Sequence, residues 1–243
     1  MSSALNEYGR LIQSGVRPAG SSIVNRCPDE ILQHIFEYMI DGGSHLLGPI
    51  LLVDRRFHQL ILSSPRLWTN IRIQFNRFLD EENKLSPAFV RACVLNSQKR
   101  LLDVYIGILL FRSQQRFESR PSYSFYDSKL EHLSGLVRPV VGSNGSLMGR
   151  WRTFHLVIAC RSISLYPWIL GHFYGEVPNL QSLEIENISG DSHRNCLNDG
   201  YFASDNRQSL FSNMPNVRYV RVPIELSLEA LSVSPRKLEH LYI

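Results

Sequence analysis

Val177-Pro178-Asn179-Leu180-Gln181-Ser182-Leu183-Glu184-Ile185 and Met214-Pro215-Asn216-Val217-Arg218-Tyr219-Val220-Arg221-Val222 enter one kind of strand through one kind of turn. After the Pro-Asn turn, both are written apolar-x-x-apolar-x-apolar. The last two apolar positions alternate, as a strand with one buried face requires. The register also occurs at Trp68/Ile71/Ile73, Leu101/Val104/Ile106, Trp151/Phe154/Leu156 and Leu238/Leu241/Ile243. Successive starts lie 33, 50, 29, 37 and 21 residues apart. Helix-like segments precede several of these strands. One is Ser86-Pro87 with Phe89, Val90, Cys93 and Val94, a second is Leu130, Leu133, Leu136 and Val137, and a third is Ser209-Leu210-Phe211.

Helix-then-strand units of irregular length predict a mixed α/β (α+β) fold in which residues 71–243 form a degenerate, leucine-rich-repeat-like solenoid. The alternative is an ordinary α/β sheet with alternating helices. The chain stops at Ile243, on what reads as the last position of a strand. Solenoids need a cap over their terminal apolar face, so the expectation is either a truncated product or a partner over an open end, with Leu238, Leu241 and Ile243 forming an exposed apolar edge.

Upstream the texture changes. Residues 1–26, rich in Ser and Gly, read as a flexible leader. Residues 27–70 read as three short helices. Pro28-Asp29-Glu30 is a helix start with two acids at the positive end of the dipole. Ile31, Leu32, Ile35, Phe36 and Met39 follow on one face, and Asp41-Gly42-Gly43 stops the helix. A second helix opens at Gly48-Pro49, with Ile50, Val53, Phe57, Leu60 and Ile61 sharing a face, and Ser63-Ser64-Pro65 breaks it. Leu67-Trp68 lies on a short third segment. A unit of about 40 residues is marginally stable alone and should lean on something else.

These residues resemble a known family. Cys27-Pro28-Asp29-Glu30-Ile31-Leu32, Ile35-Phe36, Leu52-Val53-Asp54-Arg55-Arg56-Phe57 and Pro65-Arg66-Leu67-Trp68 resemble the F-box, and with the degenerate repeats the chain looks like the F-box group of mushroom-type fungi. The resemblance covers about 45 residues closely. Two positions depart from the pattern: Cys27 replaces the usual Leu, and Asp54 stands where Cys is common. Cys27 is a small hydrophobe and costs little. The Asp54 carboxylate must stay solvated or find Arg55 or Arg56, or it weakens the domain.

The resemblance implies a substrate-recognition subunit of a Skp/cullin/F-box ubiquitin ligase. It would dock a Skp-family adaptor, and through it a cullin, and hold a protein client on the repeats. Independently of the family, a small helical trio with more apolar side chains than it can cover should bury them against a partner's helices. The expected anchors are Pro28, Ile31, Leu32, Ile35, Phe36, Val53, Phe57 and Trp68.

The sequence argues against other classes. Hydrophobic residues make up 44% and charged residues 20% of 243, which excludes a wholly disordered chain. A net charge of +4 is mild for a phosphate-gripping protein. No enzyme signature occurs, and no cofactor fingerprint. Gly142–Gly149 lacks the Lys-Ser/Thr ending of a phosphate cradle and reads as a floppy surface loop. The eight histidines are scattered without metal-ligand spacing, and His193 with Cys196 lacks further ligands nearby, so no metal site is expected. Cys27, Cys93, Cys160 and Cys196 lie far apart and read as free thiols in a reducing, cytoplasmic or nuclear setting. There is no secretory signal, and the most apolar window, Leu101–Phe111, is too short to span a bilayer and reads as a core strand. Ten basic residues against four acids between Lys99 and Arg161, with Tyr123, Phe125 and Tyr126 nearby, supply the alternative function: a repeat scaffold or nucleic-acid-binding protein with a degenerate F-box.

Overall fold

The computed structural model describes residues 26–76, 85–109, 123–159, 169–187, 211–222 and 238–242, with backbone alone for 123–130. Residues 1–25 of the leader, Cys160, His193, Cys196 and Ile243 lie outside them. Among the described residues the chain has a mixed α/β fold: three short helices at the amino end, then a six-stranded sheet whose strands all pair in parallel, with two further helices between its first three strands. No helix among the described residues is long and apolar enough to cross a membrane.

Helix α1 (Asp29–Met39), α2 (Leu47–Leu51) and α3 (Arg55–Leu62) are followed by a 3-10 turn at Pro65–Trp68. The second helix expected from the sequence is in fact two. Asp54 has extended dihedrals, φ −154° and ψ 150°, and its side chain accepts a hydrogen bond from the Arg56 backbone N–H at 2.6 Å. Asp54 therefore caps α3, and the chain turns at Leu52-Val53 before it. This carboxylate, exposed and capping, is the solvated residue that the domain tolerates. Arg56 reaches back from the same helix, donating to Asp29 Oδ1 and, at 2.5 Å, to the Cys27 carbonyl, so the starts of α1 and α3 are tied together.

Strand β1 (Asn70–Asn76) is followed by α4 (Pro87–Asn96), β2 (Leu102–Leu109), α5 (Tyr123–Val141) and β3 (Trp151–Ala159). After these come β4 (Gly175–Glu176), β5 (Ser182–Asn187), β6 (Phe211–Ser212), β7 (Tyr219–Arg221) and β8 (His240–Tyr242). The main sheet runs β1-β2-β3-β5-β7-β8, in chain order, while β4 and β6 pair in a small parallel ribbon. Each of the six expected registers falls on a strand of the main sheet, with Ile243 of the last register outside the described residues.

The recurring Pro-Asn turn has a physical reason. Asn179 Nδ2 donates to the Gly149 carbonyl at 2.7 Å, and Asn216 Nδ2 donates to the Pro178 carbonyl at 2.8 Å. Each asparagine thus ties its own turn to the turn before the preceding strand.

One face of the sheet is apolar and continuous with the helices. Ile71, Ile73, Val104, Ile106, Phe154, Leu156, Leu183, Ile185 and Val220 join Val90, Cys93 and Val94 of α4 and Leu133, Leu136 and Val137 of α5 in a single buried cluster. The same cluster contains Leu32, Phe36, Ile61 and Trp68 from the amino-terminal helices. Burial pushes the Cys93 thiol up to about 12, so it behaves as an inert hydrophobe. Phe154 stacks on Trp151 with ring centroids 4.7 Å apart and meets Phe173 at 5.1 Å and Phe211 at 5.6 Å.

Two expectations are corrected here. Phe211 is not helical, because it enters the β4–β6 ribbon opposite Gly175 and is buried in that aromatic group. The glycine-rich stretch at 142–149 is not a floppy loop. It folds into 3-10 turns at Ser143–Gly145 and Met148–Arg150, with Gly145 and Met148 buried. Gly145 has φ +76°, and a Cβ there would stand 2.5 Å from the Tyr174 carbonyl oxygen, so only glycine fits. At the far edge Leu241 pairs with Val220 yet stays 42% exposed, and Leu238 is half-buried against the core.

Candidate functional site

The amino-terminal helices expose more large apolar side chains than the rest of the described chain. In α1, residues four apart lie on one face, and two such rows run along it. Leu32, Phe36 and, just beyond the helix, Ile40 point inward. Ile31, Ile35 and Met39 form the second row and stay in water, 49%, 45% and 45% exposed, along about 12 Å of helix. Tyr38, Leu46, the Leu52-Val53 turn and Leu62 of the same helical module are exposed as well, with Val53 68% exposed.

The eight expected anchors therefore divide. Pro28, Ile31, Ile35 and Val53 are exposed. Phe57 is half-buried, its ring edge-on to Phe36 at 5.2 Å. Leu32, Phe36 and Trp68 are corrected from partner-facing to internal, because each fills the core beneath the helices at 3% exposure or less. Trp68 also donates from Nε1 to the Ile61 carbonyl at 2.9 Å and packs near Phe89 of α4, so it joins the helices to the first sheet unit. Periodicity alone could not separate the rows, since both repeat every four residues. Met39 and Leu52 were missed as surface residues for the same reason.

Charged side chains flank these apolar ones: Asp29, Glu30, Asp54 and Arg55 are exposed, and His34 Nδ1 lies 3.5 Å from Glu37 Oε2. Gln33 Nε2 donates to Ser64 Oγ at 2.9 Å, and Arg56 is engaged with Asp29 and Cys27. This surface carries no nucleophile–base pair, and what it can do is adhere. Burying an aliphatic or aromatic side chain of this size contributes on the order of 1.5–3 kcal/mol.

The sheet's other face is polar. The register places Arg72, Tyr105, His155, Glu184, Arg221 and Tyr242 in one row across all six strands. Sequence reasoning missed this row, although its signal was present: each member is the single residue between the last two apolar positions of its strand. Much of its charge is internally matched. Arg152 pairs with Asp103, which also accepts from Thr153 Oγ1 at 2.9 Å, and Arg221 bridges Glu184 and Glu186. The hydrogen bonds that Arg152 donates to the Asp103 carboxylate hold the Arg152 pKa above its usual value.

Of the basic middle segment, Arg112, Arg116, Arg120 and Arg161 lie outside the described residues. Arg150 donates to the Arg100 carbonyl and to Ser97 Oγ, and is thus a structural tie, as Arg152 is an ion-pair partner. Comparison with protein-family models, curated proteins and solved structures finds no match to this chain.

Proposed function

We propose that this chain is a substrate-recognition subunit of a Skp/cullin-type ubiquitin ligase, itself non-enzymatic. The amino-terminal helices are an F-box that docks a Skp-type adaptor, and the sheet units, read as irregular leucine-rich-repeat-like turns of a solenoid, hold a protein client. The observation that carries this reading is the exposed row Ile31–Ile35–Met39 of α1, on a small helical module that also exposes Leu52 and Val53. Apolar side chains at helical spacing fit an interface in which helices pack into a partner's groove. The motifs quoted for the F-box fall on these same helices. A few anchors dominate such interfaces, and the exposed apolar residues of this module are the natural candidates.

The test uses Ile35→Asp and Val53→Asp, both at exposed positions. Phe36→Asp is unsuitable because it would place a charge in the core. Co-purification with a Skp-type adaptor is expected for the parent chain. The double variant should lose at least about two kcal/mol of binding, roughly thirtyfold, with an unchanged circular dichroism spectrum and melting temperature. Undiminished binding by the folded double variant refutes the site, and failure of the parent chain to bind any such adaptor refutes the function. The nucleic-acid reading makes the opposite demand, an affinity that falls steeply with salt.

A further inference from the structure

On the polar face, His155 of β3 meets two carboxylates from β5, Glu184 directly across the register and Glu186 one pleat further along. His155 Nδ1 lies 3.4 Å from Glu184 Oε2, and Nε2 lies 3.8 Å from Glu186 Oε1. The second separation is too long for a hydrogen bond, and Nε2 is a buried atom with no hydrogen-bond partner. One histidine nitrogen and one oxygen from each carboxylate all lie within 4.8 Å of one another. A cation already sits among them: Arg221 Nη1 is 2.8 Å from Glu186 Oε1 and 3.2 Å from Glu184 Oε1. Two carboxylates and one guanidinium leave a net negative charge. The Arg221 side chain is about half exposed.

We propose that His155, Glu184 and Glu186 form a binding site for a divalent transition cation of the zinc type, which displaces Arg221 from the carboxylates. An imidazole whose Nε2 lacks a hydrogen-bond partner, together with two carboxylates, is a mixed nitrogen and oxygen set, which zinc-like ions accept, whereas magnesium and calcium take oxygen sets. Bonds of about 2.0–2.2 Å in a tetrahedron put donors about 3.4 Å apart, so the set has to close by up to about 1.4 Å. The two carboxylates balance the ion's charge, and repulsion then drives the guanidinium out. Three protein ligands leave a fourth position for water or for a donor atom of a bound molecule. The ligands stand on two adjacent paired strands, which fixes their spacing better than loops would.

The experiment titrates the tag-free full chain with zinc chloride by calorimetry and with cobalt chloride by visible absorption, with magnesium as the control ion. One equivalent of zinc is expected to bind, with a cobalt ligand-field spectrum and no response to magnesium. His155→Ala and Glu186→Gln should each weaken zinc binding at least about tenfold. Arg221→Gln should tighten it about tenfold by removing the competing cation, an effect in the direction that damage to the fold cannot mimic. The proposal is overturned by absence of uptake at about 100 μM zinc, by uptake indifferent to His155→Ala and Glu186→Gln, or by weaker binding in Arg221→Gln.

Discussion

Asp54 shows how one residue redirects a helix. Read as part of an unbroken amphipathic run, it is an unexplained charge. As an N-cap it accepts the Arg56 amide, stops α2 from continuing, and turns Val53 outward. Asp54→Ala should cost about 1 kcal/mol of folding stability, and Asp54→Asn should restore most of it, as read by urea denaturation. Its cue was present in the sequence, an Asp directly before the amphipathic Arg55–Leu62 run, but the stronger apolar periodicity through Ile50, Val53 and Phe57 masked it. Asp54 also shows why exposure was harder to read than structure: a cap decides side-chain direction through backbone dihedrals that hydrophobicity does not encode.

Among the elements, α1 is the most informative. Its two rows are nearly identical in composition, yet the structure gives them opposite duties. Leu32→Ala should destabilise the chain by about 2–5 kcal/mol by opening a cavity, while Ile31→Ala should change stability by no more than about 0.5 kcal/mol. Equal losses in thermal or chemical denaturation would mean that the rows are not distinguished as described. The strands were more legible than the helical faces. Their register follows from a period of two with one buried side, so a slip of one residue would expose every apolar position. The polar row across the sheet was legible from the same register, since parallel strands in chain order bring equivalent positions side by side. The β4–β6 ribbon was not, because two-residue strands carry no period, and Phe211 gave only a generic apolar signal.

At the scale of the whole molecule, one buried cluster runs from Leu32 to Val222, so the helices and the sheet share their stability. That cluster and its margins set the response to acid. Burial, helped by the neighbouring Arg138 charge, lowers the His172 pKa below its ordinary 6.5, and burial with Arg72 lowers that of His45. A histidine whose pKa is lower in the folded state binds its proton more readily when unfolded. Its contribution to stability is therefore constant above about pH 6.5 and falls as the pH drops below that value. The urea midpoint should be lower at pH 5.5 than at pH 7.5, and a His45→Gln, His172→Gln double variant should flatten the decline. An unaltered slope in that variant would assign the acid response to other groups. Of this scale the sequence disclosed the dependence of the short helices on a neighbour, through their size, but not the identity of Trp68 as the joint, because a buried tryptophan and a docking tryptophan look alike in one dimension.

Trp68 is clamped by the Ile61 carbonyl on one side and Phe89 on the other, with β1 beginning two residues later. If a partner grips the amino-terminal helices, as proposed, this rigid joint aims the sheet as well as holding it. On the proposed reading, a client resting on the row from Arg72 to Tyr242 would keep a fixed bearing relative to the gripping protein, like cargo on a bracket rather than on a tether.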